Sequence, residues 1–478
     1  MKSTRFRATA AILAAAAITG GAALISVGGQ ASSTRARGVS SISPTAVVIR
    51  PDAIHAARGF SSPATTAECK QKIHISCYGA GQIRQAYNVW PLYRKGITGK
   101  GETIVIVDSY GSPTIKHDLA VFDAQYKLSA PPSFTIIQPA GAVAPYRASS
   151  NREGWAGETT LDVEYAHVIA PGASILLVET PTSETEGTTG FPQIVTAEEY
   201  VIHNHLGDVI SQSFSATEQT FPTAESLLDL RAAYIDAAAN NVTVLAASGD
   251  SGAADVEYNA TTYYGFPVTS WPDSDPLVTG VGGTQLHLNG VGNRIGPDSV
   301  WNDTYNVATN EYIAGNAGPS PLAGGGGKSI IFSRPSWQSK VANVVGAHRG
   351  VPDISMSAAC NGAANIYQSF PGQPTGWYPT CGTSEATPLF AGIVALADQM
   401  AGHPLGVINP AIYAMSAAKE PGIVDVTKGD NSVSFTQGAK LQTVTGYPAL
   451  RGYDLASGVG TVNAAKFVPE LVAAVAAS

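Results

Sequence analysis

The chain has 478 residues, 44% of them hydrophobic, which suits one large domain with a sizeable core and a smaller N-terminal segment. Charged residues make up only 13%, and the formal net charge is -8. That balance excludes an extended basic surface, so nucleic acid is not an expected partner.

In chain order, Lys2, Arg5 and Arg7 precede an apolar run from Ala8 to about Val27, closed by Gly29-Gln30-Ala31. This is the pattern of a signal peptide over 1–31, and it implies a secreted, extracellular protein. The competing reading, a membrane anchor, needs a more apolar stretch than this Ala/Gly-rich run, broken at Thr19, Gly20 and Gly21. No membrane contact is expected once the signal is removed. Residues 32–68 are rich in Ser, Ala, Thr, Arg and Pro without a sustained period, and read as a linker or short pro-segment. The catalytic domain is expected over 69–478.

From there, short apolar strands alternate with amphipathic helices. Strands are predicted at Glu102–Asp108, Ala173–Glu179, Asp208–Ser215, Val242–Ser248, Leu277–Leu286 and Asp353–Ser357. Helices are predicted near Lys116–Gln125, Trp155–Ile169, Ile194–His205, Ala224–Ala239 and Ser384–Met400. The alternation predicts an α/β fold, a mostly parallel central sheet with helices on both faces. Chemistry in such sheets gathers at the carboxyl ends of strands, where Asp108 and Asp250 fall. The four cysteines, in an exported chain, suggest two disulfides, most simply Cys69–Cys77 and Cys360–Cys381. They lack paired CxxC spacing, which argues against zinc.

Three motifs carry chemistry. In Cys381-Gly-Thr-Ser-Glu-Ala-Thr-Pro388 a serine sits where a Gly-led turn enters an apolar helix. The helix N-terminus there favours developing negative charge, so Ser384 is a candidate nucleophile as well as a candidate N-cap. A serine needs a base, yet none of the nine histidines stands in a His-Gly-Thr-His context. His117 reads as a surface residue. In Gly157-Glu-Thr-Thr-Leu-Asp-Val-Glu164, Glu158 and Asp162 share one helical face, whereas Glu164 points elsewhere as a solvated or structural residue. Two carboxyls on one face share a proton over part of the acidic range, and one of them could take the serine proton. The bland alternative is an ordinary acidic face. In Ser248-Gly-Asp-Ser-Gly252, Asp250 is either a turn former or, when protonated, a hydrogen-bond donor to an oxyanion.

Glu158-x-x-Leu161-Asp162, Ser248-Gly249-Asp250-x-Gly252 and Gly382-Thr383-Ser384-x-x-x-Pro388 together resemble the sedolisin family of serine-carboxyl peptidases. Similar stretches are Phe266-Pro267, Val281-Gly-Gly-Thr284, Pro335-x-Trp337-Gln338 and Arg349-Gly-Val-Pro-Asp353, so the resemblance covers Cys77 to the C-terminus. It implies a subtilisin-like fold with Ser384 as nucleophile, Glu158 as base and later acid, Asp162 as its partner and Asp250 as oxyanion donor. It also implies one structural calcium ion, with carboxylates from Asp425 and Asp454 and backbone oxygens from Val426, Leu450 and Gly452. Where relatives link a Glu and a Trp behind the acids, this sequence has Asp108, with a shorter reach, and Phe214, which cannot donate. The Ser213-Phe214-Ser215 strand is expected to border the substrate cleft.

The implied activity is acid-active endopeptidase action on protein or peptide substrates through an acyl-enzyme, by a monomer. The alternatives are a tripeptidyl exopeptidase and an inactive secreted scaffold of the same fold. Gly324-Gly-Gly-Gly-Lys-Ser329 imitates a phosphate loop, but Leu322 stands where the first glycine is required, and a flexible loop near the cleft is expected instead.

Overall fold

A computed structural model describes residues 54–313, 315 and 317–477. The expected signal peptide at 1–31 lies outside the described residues. The described residues begin at Ile54, and a short strand β1 (Ile54–His55) and the start of helix α1 (Thr66–Lys72) fall within the segment read as linker. Thr65 caps α1 by accepting from Glu68 N–H, and the Glu68 carboxylate accepts in return from Thr65 N–H.

An eight-stranded sheet organises the chain. Its strands are β3 (Thr103–Ser109), β4 (Phe134–Ile137), β5 (Ser174–Thr180), β6 (Val209–Gln212), β7 (Thr243–Ala247), β8 (Thr279–Gln285), β9 (Ser299–Val300) and β10 (Ile354–Ser357). The order is β9-β8-β7-β6-β3-β5-β4, with β10 also on β8. Every pairing is parallel except that of the edge strand β9. This is the mostly parallel, subtilisin-like α/β sheet expected. The short β4 is a strand the apolar runs did not reveal, because it is an edge with little burial.

Period-two alternation explains why helices cover both faces. Ile104 and Ile106 of β3 join one core, shared with Leu161 of α3 (Ser150–Ile169) and with Phe390 and Ile393 of α7 (Thr383–Ala401). Val105 and Val107 point the other way. They meet Phe191 and Ile194 of α4 (Phe191–His203). The helix predicted over Ala224–Ala239 is two, α5 (Ala224–Leu228) and α6 (Ala232–Ala239). Arg231 interrupts it with a bidentate ion pair to Asp275, at 2.5 and 2.8 Å. Preceding these, α2 (Ile115–Tyr126) follows β3.

A smaller sheet sets β1, β12 (Gly376–Cys381), β11 (Ala363–Gln368) and β2 (Cys77–Tyr78) side by side. Both local disulfides are present, Cys69–Cys77 and Cys360–Cys381. The second fixes the end of β12, from which the chain enters α7. Among the described residues no helix is long and apolar enough to cross a membrane.

Candidate active site

The two long helices α3 and α7 meet at very close range. A Cβ on Gly392 would stand 2.5 Å from Ile169 Cβ, so only glycine lets α7 approach α3 this way. That contact fixes the two helices carrying Glu158, Asp162 and Ser384 against one another. All three side chains are fully buried.

Ser384 is the second residue of α7. Gly382 precedes it at φ +126°, a conformation that a residue with a Cβ rarely adopts. The proline at 388 lies beyond the first turn. It has no N–H for the Ser384 carbonyl four residues back, and the Ser213 hydroxyl lies 3.5 Å from that oxygen instead. The Ser384 hydroxyl is buried and has no hydrogen-bond partner among the described residues.

Glu158 and Asp162 lie on one buried face of α3, as the i, i+4 spacing predicts. The Asp162 carboxyl is held well above the usual range, first by burial, then by the charges of Asp108 and Glu158. It accepts a hydrogen bond from Ser213 Oγ at 2.9 Å. Ser213, just past β6, thus touches both the acidic pair and the backbone of the candidate nucleophile. Sequence reasoning gave it no such role; its only signal is a polar side chain at the carboxyl end of a central strand. Phe214 turns away into the core against Phe191. Asp108 stands behind the pair. Burial raises its pKa to about 7, the neighbouring Thr159 hydroxyl counters that, and the Glu179 charge adds to the rise.

Asp250 lies beyond the end of β7. Its Oδ1 accepts from Thr383 N–H (2.7 Å) and Thr383 Oγ1 (2.8 Å), which ties it to the residue before Ser384. Its Oδ2 is buried without a partner. Burial, opposed by those two hydrogen bonds, brings its pKa up to about 7. Below that pH the carboxyl is neutral, and with Oδ1 engaged as acceptor the proton is placed on Oδ2, where it can be donated.

Two expectations are corrected. Glu164 is not solvated: it is fully buried and accepts from Tyr367 N–H at 3.1 Å, so it ties α3 to β11. The glycine run at 324–327 is not a flexible loop. Gly325 N–H donates to Gly249 O at 2.7 Å, and a Cβ at Gly325 would stand 1.9 Å from Ser248 O. The run is glycine because backbone packs on backbone there. It braces the turn that carries Asp250, whose own carbonyl accepts from Ala323 N–H at 2.9 Å. His117 is exposed, as expected. Another histidine, His55 on β1, comes against α3 beside Gly157. A strand upstream of the expected domain start hid it from sequence reasoning.

The residues expected to hold calcium surround one turn, 450–454. Gly452 N–H donates to the Asp425 carboxylate at 3.0 and 3.2 Å, and Leu450 N–H donates to Asp454 Oδ2 at 3.0 Å. Asp454 Oδ1 accepts from Ala456 N–H, Ser457 N–H and the Ser457 hydroxyl. Val426 is buried beside them and Leu450 is exposed. Among the described residues no group of three or more His, Cys, Asp or Glu side chains is placed to hold a metal. The turn offers two carboxylates, so a cation there would depend on backbone oxygens, as a hard ion can.

The subtilase family model matches residues 143–439. Kumamolisin of Bacillus sp. (strain MN-32) is 32% identical over 81% of this chain and 62% of its own length. Sedolisin of Pseudomonas sp. (strain 101) is 29% identical over 77% of this chain and 57% of its own. Human tripeptidyl-peptidase 1 is 29% identical over 64% of this chain and 50% of its own. This chain therefore spans only about half to three fifths of those relatives. A solved structure of Pseudomonas sedolisin, a serine-carboxyl proteinase complexed with two molecules of pseudo-iodotyrostatin, superposes with a TM-score of 0.67 at 25% identity. The match covers 84% of this chain and 99% of that one. With this sheet order and these matches, the chain belongs to the subtilase family, in its sedolisin branch.

Proposed function

We propose that the protein is a secreted, acid-active serine endopeptidase. The observation that carries this reading is Asp250: a buried carboxyl with one oxygen bound to Thr383, beside Ser384, and the other unpartnered. In the proposed reaction Glu158 takes the Ser384 Oγ proton as Oγ attacks the substrate carbonyl carbon. The carbonyl oxygen becomes an oxyanion and accepts a hydrogen bond from protonated Asp250. Glu158 then gives its proton to the departing amine as the C–N bond breaks, leaving an acyl-enzyme. Water, deprotonated by Glu158, attacks the acyl carbon; the C–Oγ bond then breaks, the acid product leaves, and Glu158 returns the proton to Ser384 Oγ. Asp162 steadies Glu158 and is itself steadied by Ser213. The acid optimum follows from Asp250, which can donate only while protonated.

Replacing Asp250 separates these roles. Asp250→Ala is expected to lower kcat by about 100-fold or more, the usual cost of one oxyanion donor. Asp250→Asn keeps a donor that does not titrate, so its alkaline limb should move to higher pH relative to wild type. Rates on a quenched peptide from about pH 3 to 8 would show this, and an unmoved alkaline limb in an active Asp250→Asn enzyme would remove Asp250 from the role. Mass spectrometry of products separates an endopeptidase from a tripeptide-releasing exopeptidase, the activity named for one relative.

A structural calcium ion belongs to the same reading. It would be held by the Asp425 and Asp454 carboxylates with carbonyls of Val426, Leu450 and Gly452. Burial raises the pKa of both acids, and the one basic side chain offsetting Asp425 is Arg451. A divalent cation would stabilise both carboxylates and link the turn to the chain at 425. Asp425→Ala, or chelation of the wild type, is expected to lower Tm by several degrees, as the loss of one bound ion does. An unchanged melt, with no metal by elemental analysis, would dismiss the site.

A further inference from the structure

Residues 54–60 run antiparallel along the outer edge of β12. Ala56 N–H donates to Pro379 O at 2.8 Å, and Phe60 and Trp377 exchange both backbone hydrogen bonds at 2.7 and 2.8 Å. Ile54 stands opposite Cys381 and His55 opposite Thr380, a short step before Ser384. Ala56 and Ala57 are buried, so the strand is packed as well as paired. Its end carries the half-buried His55. The imidazole stacks on Tyr378, with ring centroids 4.5 Å apart and planes inclined by 25°. Its Nε2 lies 3.8 Å from the position a Cβ on Gly157 would take, and Gly157 directly precedes Glu158.

The reaction assigns a direction to this arrangement. Glu158 must return a proton to the departing amine, so the substrate residues after the scissile bond leave past Glu158. His55 abuts the helix at Gly157, one residue before Glu158. Asp250 instead approaches from the end of β7 and Thr383, to receive the carbonyl oxygen. We propose that the strand at 54–60 is a built-in wall of the site, with the His55 ring contacting the substrate residues that follow the scissile bond. This rests on the peptidase reading above. A flat imidazole held from behind by Tyr378 presents a face to an apolar or aromatic side chain and an edge to a peptide group. The segment is then part of the working enzyme and is not a discarded linker.

The test uses the full chain with His55→Ala and His55→Phe, and two probes. One is an internally quenched peptide with three residues beyond the scissile bond. The other is an N-acyl peptide aldehyde, which ends at the carbonyl and cannot reach that side. His55→Ala is expected to lower kcat/KM on the peptide about tenfold, through KM, because about one stacking contact is lost. Aldehyde inhibition should stay within about twofold, and His55→Phe, which retains the stack, should recover most of the loss. An active wild type matched by His55→Ala would overturn this inference alone. So would parallel weakening of aldehyde binding, or a fully active enzyme whose N-terminus lies beyond Phe60. A wild type that neither cleaves the peptide nor binds the aldehyde overturns the peptidase reading and this one together.

Discussion

Ser384→Ala is expected to leave a folded protein whose kcat on peptides is down by about 10,000-fold or more at every pH. The size follows from the proposed chemistry. Without Oγ there is no acyl-enzyme, and what remains is binding and oxyanion stabilisation acting on a water that has no place in line. Folding should survive, because the hydroxyl has no hydrogen-bond partner among the described residues. Its removal costs no internal hydrogen bond, and the helix start is fixed by Gly382 and by the bonds of Thr383 to Asp250. Casein or peptide cleavage together with a melting curve checks both halves. Activity equal to wild type in a folded Ser384→Ala protein would sink the serine mechanism whatever the family.

Stability is expected to be highest in mild acid and to fall as the medium is brought to neutral. Burial raises the folded-state pKa of Asp108 and Asp250 to about 7, of Glu198 to about 8 and of Asp398 to about 9. In the unfolded chain such acids titrate near 4. Between those limits the folded state holds the extra protons. Each group's contribution is therefore complete below about pH 4 and is lost as pH rises through its folded value, at about 1.4 kcal/mol per pH unit. His55 and His167 act in the other direction. Burial lowers both to about 4, so their contribution is lost as pH falls from about 6.5 towards 4. The buried acids outnumber them, which places the maximum near pH 4 to 5. Calorimetry from about pH 3 to 8 tests this, and a Tm that climbs towards neutrality contradicts it. The same burial that raises the Asp250 pKa is thus expected to favour the fold in an acidic medium.

How much of this was legible beforehand depends on the range of the interaction concerned. The spacing of Glu158 and Asp162 put them on one helical face because the helix repeat is local, and the structure has them on one buried face. The parallel sheet was legible because a strand buried on both sides must be apolar throughout, as Val105, Ile106 and Val107 are. The two cysteine pairs were legible because each closes a short loop. Burial depth was not. Glu164 looked solvated because its own helix cannot tell it that β11 lies against it. The glycine run looked mobile because nothing within it shows that Ser248 and Gly249 occupy the space a Cβ would need.

By itself, then, the sequence determined most of the elements, their alternation, and which carboxyls and which serine are candidates to react, since these follow from local periodicity and residue chemistry. The tertiary structure decided what surrounds them. It set Ser213 on Asp162 and left Asp250 one open oxygen, and it brought Ile54 to Cys381 across 327 positions. Those contacts depend on how the sheets and helices pack, and burial, through desolvation, then shifts the acids to where a proton can be held near neutrality. No window of residues contains that information, because the low-dielectric surroundings of a carboxyl are supplied by parts of the chain far from it in sequence.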